Sequence, residues 1–318
     1  MFWTFLQRAI RFSTIFLFGA TGEIITEKSG HLNLGIPGIM CIGAVGGVIG
    51  ESAYIRSLSD ISQINGAAAV LIPIIMAMIF AGLAGLLFSF MTVTLRCNQN
   101  VTGLTITTFG IGFNSFYMSR VDRTSFNIAS SFFTKCFPGA GDAGWFGQMF
   151  LSYGTLVYLA IFIAIIAAIV FKKTRVGLNL RAIGENAATA DAAGLNVSKY
   201  RYIATILGSA IAGLGGLFFI MDYLGGNVEY NIEAYGWLSV ALVIFSMWKP
   251  GWGILGSILF GILYIAPNYL NVSFSQAELV NLIPYVVTIL VLIVTSIINK
   301  RETQPPAALG LSYFREER

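Results

Sequence analysis

The sequence predicts an all-α polytopic membrane protein of about eight to ten transmembrane helices, with a broken or re-entrant N-terminal segment and a short cytoplasmic helix between two later spans. Three observations predict it. The 318 residues are 56% hydrophobic and 11% charged, with a mean hydropathy of +0.77; a soluble domain carries about 25% charged residues with which to cover itself. Apolar stretches recur along the chain, near 9–25, 67–94, 101–118, 151–171, 202–221, 234–248, 252–269 and 280–298, set against the roughly 20 residues that a bilayer crossing needs. A further Gly-rich apolar stretch, Leu32 to Gly50, follows the polar interruption "TEKSGHLNLGIPG" at 26–38.

The elements follow in order. The first span lacks a small-residue cleavage site and opens a series of spans, so it is expected to stay as an anchor. The interruption gathers Glu27, Lys28, His31 (the chain's one histidine), Asn33 and four Gly/Pro residues. Irregular backbone at membrane depth is tolerated where protein or water satisfies it, so this segment is expected to line a pathway or a helix seam. Asn33 suits either a substrate hydrogen bond or a helix cap. Gly43 and Gly47, Gly46 and Gly50, and Gly208, Ala212 and Gly216 stand four apart, the spacing that lets membrane helices approach closely. "LRCNQN" at 95–100 reads as a short inner turn. The next span is unusually polar, with Thr102, Thr105, Thr107, Thr108 and Asn114. Intramembrane polar groups face the bundle interior, although some threonines bond back to their own helix; two of these five are expected to line a pathway.

Sidedness is read from Lys and Arg. The loop 172–201 holds Lys172, Lys173, Arg175, Arg181, Lys199 and Arg201, which places it in the cytoplasm. Within it, 185–193 (ENAATADAA) is Ala-rich and helical, with Glu185 expected in its first turn and Gly194 as the stop. A small-surfaced helix held between two spans reads as a docking peg for another protein. The segments 119–150, 222–233 and 270–279 then face out, and Lys249 and the tail with Lys300 and Arg301 face in. Arg8 and Arg11 place the N-terminus inside as well. That demands an even number of crossings, which a re-entrant piece within 22–50 would reconcile with eight spans plus 32–50.

Several classes are excluded. There is no G-x-x-x-x-G-K-[ST], G-x-S-x-G or H-E-x-x-H, no run of spaced arginines for voltage sensing and no TVGYG filter. Cys41, Cys97 and Cys136 have neither disulfide nor zinc spacing. His31 stands alone and is expected to be structural. No Asp or Glu lies deep in a span, Glu23 being the nearest, which argues against an ion-coupled secondary transporter. The chain is expected to be no enzyme.

Three segments, "EKSGHLNLGIPGIMCIGA" (27–44), "LRAIGENAATADAAGLNVSKYRYIATILGSAIAGLGG" (180–216) and "WKPGWGILGSILFG" (248–261), resemble the permease subunits of bacterial ABC importers in the ribose, simple-sugar and branched-chain amino acid superfamily, most closely its nucleoside-type branch. The resemblance spans essentially the whole chain. Its N-terminal motif falls on Glu27, Lys28, Gly30, Asn33, Gly35 and Gly38. Its loop motif falls on Gly184, Glu185, Asn186, Ala187, Ala190, Asp191, Ala192 and Gly194, which the resemblance implies to be a coupling helix docking on the ATP-binding subunit. The sequence departs from the nucleoside-type pattern at Pro37 and Thr107, where glutamate and asparagine are common.

The resemblance implies nucleoside transport across the bacterial cytoplasmic (inner) membrane, with ribose or another simple sugar as the alternative. It implies a substrate pathway involving Asn33, Thr102, Thr105, Thr107, Thr108 and Asn114, and no cofactor in this chain, ATP and Mg being bound by the partner ATPase. The implied partners are that cytoplasmic subunit, a second homologous permease (a heterodimer), an extracytoplasmic binding protein or lipoprotein and the lipid bilayer, without nucleic acid. Residues 1–300 are expected to form one permease domain that includes loop 172–201, and residues 301–318 a cytoplasmic tail.

Overall fold

The computed structural model describes residues 2–60, 64–121, 123–135, 144–227, 232–269, 279–280, 282–298 and 304–314. Cys136 and the expected domain boundary at 300/301 lie outside them.

Helix formation follows apolar runs bounded by side-chain caps. Helix α1 is Phe2–Glu27, α2 is Ile36–Ser57 with Pro37 in its first turn, and α3 is Gly66–Ser89, continued by a π-helical turn over Phe90–Thr94. Helix α4 is Gln99–Met118, with short helices α5 (Arg123–Ser130) and α6 (Gly144–Phe150) after it. Then come α7 (Thr155–Lys173), α8 (Arg175–Glu185), α9 (Ala187–Ala192) and α10 (Val197–Phe218), the last extended by a π-helical turn over Phe219–Tyr223. The chain continues with α11 (Glu233–Phe245), α12 (Pro250–Ile265) and α13 (Ile283–Ile298). Asparagine side chains cap four of these: Asn65 for α3, Asn98 for α4, Asn186 for α9 and Asn196 for α10, each accepting from a backbone N–H of the first turn. Such a cap contributes about 1 kcal/mol.

Helices α1, α2 and α10 form the buried centre. Glycine sets their spacing: Gly22 meets the backbone of Gly208, Gly43 that of Gly213, and Gly216 that of Met40. The pairs read from the sequence are therefore seams, where dispersion over close backbones replaces a hydrophobic drive that lipid does not supply. Helices α3, α7 and α13 turn leucine, isoleucine, valine and phenylalanine outward, among them Leu71, Ile79, Phe162, Ile169, Ile289 and Ile293. Five helices (α1, α2, α3, α7 and α10) have the length and apolarity of a simple span, and α11 and α12 are shorter apolar helices.

Ring and side-chain contacts fix which helix ends lie together. The basic segment 172–201 shares one end with the α1–α2 turn, since Gly184 lies against the Lys28 carbonyl. Trp248 joins this end through a hydrogen bond to Glu27. At the other end Arg11 pairs with Asp222 at 2.7 Å, Phe5 packs on Tyr269 and Trp3 on Trp145. The described helices that run between the two ends are α1–α4, α7 and α10–α13. This odd number puts the start of α1 at the end opposite the basic segment, contrary to the reading of Arg8 and Arg11. The reason is compensation: Asp222 takes the Arg11 guanidinium on its carboxylate and its backbone carbonyl. The conflict that called for a re-entrant piece then disappears. Residues 28–35 are a buried turn between two full-length helices.

Candidate functional site

The turn at 28–35 is built from polar groups with defined bonds. Gly30 has φ +84, a left-handed conformation that costs glycine little. Asn33 accepts from the Gly35 N–H through its side chain (2.9 Å), a local turn bond that sets up the entry to α2. Its own N–H donates to Glu23 Oε1 at 3.1 Å, and its Nδ2 has no partner among the described residues. Leu32 N–H donates to Gln99 Oε1 at 2.8 Å. His31 is fully buried, with Nδ1 3.0 Å from Thr205 Oγ1 and its ring edge against Phe88. Burial, followed by the nearby Arg201 guanidinium, holds His31 well below its ordinary value, so it stays neutral and structural. Glu27 is buried at the end of α1. Lys28 beside it is partly buried and lowered by that burial, with Glu185 opposing.

Glu23, Glu51 and Asp222 are fully buried inside the protein, towards the ends of α1, α2 and the α10 extension. A hydropathy average passes over single charges whose partners come from distant helices. Asp222 has Arg11 and Glu23 has the Asn33 amide; among the described residues both Glu51 oxygens are without a hydrogen-bond partner.

Helix α4 splits its polar residues between two faces. Thr102, Thr107 and Asn114 are buried. Thr107 Oγ1 donates to the Leu34 carbonyl at 2.9 Å, which ties α4 to the turn, and Asn114 Oδ1 has no partner among the described residues. Thr105 and Thr108 are exposed, and donate to Val101 O (2.8 Å) and Leu104 O (3.0 Å) of their own helix. They line an open groove of about 520 Å³ with Phe109, Gly112, Phe113 and Phe116. Asn33 and the buried Thr107 are therefore joined through the turn, while Thr105 and Thr108 face away from both.

At the basic end α8 and α9 form a ledge. Thr174 caps α8 through Gly177 N–H (3.1 Å) and Asn186 caps α9 through Thr189 N–H (3.0 Å). Glu185 ends α8 instead of opening α9, because the Asn186 cap starts a new helix between them. Gly194 has φ +86 and follows the C-cap, as its position past the Ala-rich run predicts. Ile183, Ala187, Ala190 and Val197 pack into a small apolar cluster. That anchoring turns Ala188, Thr189, Ala192 and Ala193 outward as a smooth exposed face. Gly184 and Ala187 are buried beneath it, and Asp191 is partly buried with Oδ2 2.7 Å from Tyr313 Oη. The Asp191–Tyr313 contact has no local signal in the sequence.

Residues 5–292 match the family described as branched-chain amino acid transport system / permease component. The chain belongs to that permease family. Three relatives match over most of the chain. It is 30% identical over 314 residues to the guanosine ABC transporter permease protein NupQ of Bacillus subtilis, covering 94% of this chain and 92% of that one. It is 28% identical over 316 residues to the nucleoside ABC transporter permease protein NupC of Lactococcus lactis, at 96% and 95% coverage. It is also 28% identical over 262 residues to the putative glucose ABC transporter permease protein TsgC13 of Haloferax volcanii, at 81% and 75% coverage. The chain is thus a multi-pass membrane permease component of the ABC type, a transport subunit rather than an ATPase.

Proposed function

We propose that this permease carries nucleosides inward across a bacterial cytoplasmic membrane, driven by ATP hydrolysis in a separate subunit. The observation that carries the reading is the ledge: a capped helix, α9, held by an apolar anchor with its small face turned outward between two membrane helices. Small exposed side chains let another protein seat closely and lose little rotamer entropy. ATP and Mg belong to the subunit that docks there, and the basic end is the cytoplasmic one. Nucleosides are preferred over sugars because two full-length relatives bear nucleoside or guanosine in their names. The glucose relative supports a sugar as the second reading.

A second, related permease completes the pathway, and an extracytoplasmic binding protein or lipoprotein delivers the substrate. The exposed α4 groove with Thr105 and Thr108 is the surface this chain offers to that pathway. The buried Asn33, Thr102, Thr107 and Asn114 position α4 and the turn behind it. The two permeases then alternate between outward- and inward-facing states around a site shared between them.

Uptake of labelled guanosine, uridine and ribose by cells expressing the whole system, with and without this chain, tests the reading. ATP-dependent nucleoside uptake that vanishes without the chain, and that excess ribose does not compete away, supports it. Ribose uptake alone moves the permease to sugars. Nucleoside uptake by this chain without any ATPase overturns the importer.

A further inference from the structure

The C-terminal segment 304–314 crosses the basic end, where its contacts reach four separate places. Ala308 N–H donates to the Gly184 carbonyl (2.9 Å), at the end of α8. Two residues on, Gly310 N–H donates to the Gly30 carbonyl (3.1 Å), in the turn between α1 and α2. Tyr313 Oη reaches Asp191 Oδ2 of α9 (2.7 Å), and its side chain packs on the apolar cluster that anchors α9. The Phe314 ring lies 4.9 Å from the Arg96 guanidinium, in the turn that leads into α4. Pro306 is buried against Gly184, and Leu309 packs on the main core. The crossing depends on two glycines: a side chain at Gly184 would meet the Lys28 carbonyl, and Gly310 has φ +77.

We infer that Tyr313 is a positioning residue for coupling: through Asp191 it fixes α9 to a strap that also grips the α1–α2 turn, so that α9 and the turn move as one body. The inference rests on the proposed docking of α9 on an ATPase. The chain of contacts continues past the strap. The turn is bonded to α4 by Thr107 to Leu34 and by Gln99 to Leu32, and α4 carries the exposed groove. Motion delivered to α9 therefore has a contiguous packed route to the pathway face, which a lone six-residue helix on two loops would lack. Asp191 is committed to this internal bond. Its role is to hold α9 and not to touch the docked subunit, whose contact surface is Ala188, Thr189, Ala192 and Ala193.

Two measurements decide it. In the full chain in nanodiscs, hydrogen exchange at the amides of 187–193 is followed for wild type, Tyr313→Phe, Asp191→Ala and the double variant. Loss of one side-chain hydrogen bond is expected to speed exchange there by about fivefold. The double variant should add nothing to Tyr313→Phe, because both remove the same bond. Unchanged exchange in both single variants overturns the strap. In the assembled importer, the same variants are assayed for nucleoside uptake per ATP hydrolysed. Positioning predicts that Tyr313→Phe keeps the ATPase rate and lowers that ratio by about threefold or more. Faster exchange with an unchanged ratio shows a purely structural tail and overturns the coupling role. A chain that assembles with no ATPase overturns the importer reading and the coupling role with it, while the exchange measurement still decides whether the tail holds α9.

Discussion

Helices α3 and α4 both pack against α2, yet they turn different chemistries away from the bundle. The outer face of α3 carries Leu71, Ile75, Ile79, Leu83, Leu86, Leu87 and Phe90, all exposed and all apolar. The outer face of α4 carries Thr105, Thr108, Gly112, Ser115 and Ser119 as a stripe at helical spacing, flanked by Phe109 and Phe116 and by the partly exposed Phe113. Lipid chains match the first face fully. They offer nothing to hydroxyls and fill a groove beside Gly112 poorly, so the second face is shaped for something other than lipid. The hydroxyls of Thr105 and Thr108 donate to their own helix, which lowers the cost of exposing the stripe. The two faces also differ in what stands behind them. Helix α3 is backed by α10 and α2. Helix α4 is backed by α2 and by the turn that the C-terminal strap holds.

The contrast breaks most severely from the buried side of α4. Gly110 lies on the backbone of Gly38 of α2, so Gly110→Leu has no flexible side chain to push aside. Its cost is expected to exceed the ~1–3 kcal/mol of ordinary overpacking and to lose most of the folded protein, measured as monodisperse chain after detergent extraction. Normal yield and uptake would mean that α4 does not sit on α2 as described.

Next in size is a change that leaves the fold alone. No atom of the described residues stands within 4 Å of a Cβ added at Gly112, so Gly112→Trp should give wild-type yield while filling the groove. Nucleoside uptake should fall by about tenfold or more, the scale of one displaced group in a closely packed pathway. The matched change on the other face, Ile79→Trp, keeps an apolar side chain in an apolar setting and should leave uptake within about twofold. Equal effects at both positions would erase the distinction between the faces.

Much of this arrangement is legible in the sequence, because hydropathy reports burial in lipid directly. The stretches read as spans became helices, and the Gly-xxx-Gly pairs became seams. The stop at Gly194 followed from the Ala-rich run before it. What could not be read depended on residues far apart in the chain. The N-terminus was misplaced because Arg11 is neutralised by Asp222, 211 positions away. The bond from Tyr313 to Asp191 could not be read because 122 positions separate the two residues. The two faces of α4 did carry a local signal: Thr102, Ile106, Gly110 and Asn114 recur at helical spacing on one side, and Thr105, Thr108 and Gly112 on the other. Grouping all the polar residues of the span as one pathway set passed over that period.

The finest comparison lies within α4, between two adjacent threonines. Thr107 donates to the Leu34 carbonyl of the turn, a bond between elements 73 positions apart. Thr108 donates to Leu104 of its own helix. Valine preserves the shape of each side chain and removes the donor. At Thr107 that leaves a buried carbonyl without its partner, so Thr107→Val should cost ~1–3 kcal/mol, read as a lower melting temperature in detergent, and should weaken uptake by loosening α4 from the turn. At Thr108 the Leu104 carbonyl keeps its backbone helix bond, and the loss should stay within ~0.5 kcal/mol. Any effect of Thr108→Val should then appear as a change in the uptake KM with melting unaltered, since the hydroxyl lines the groove. If the two variants melt alike, the Thr107–Leu34 bond contributes nothing to stability, and the route from the strap to the groove face would have to run through the Gln99–Leu32 bond and α2.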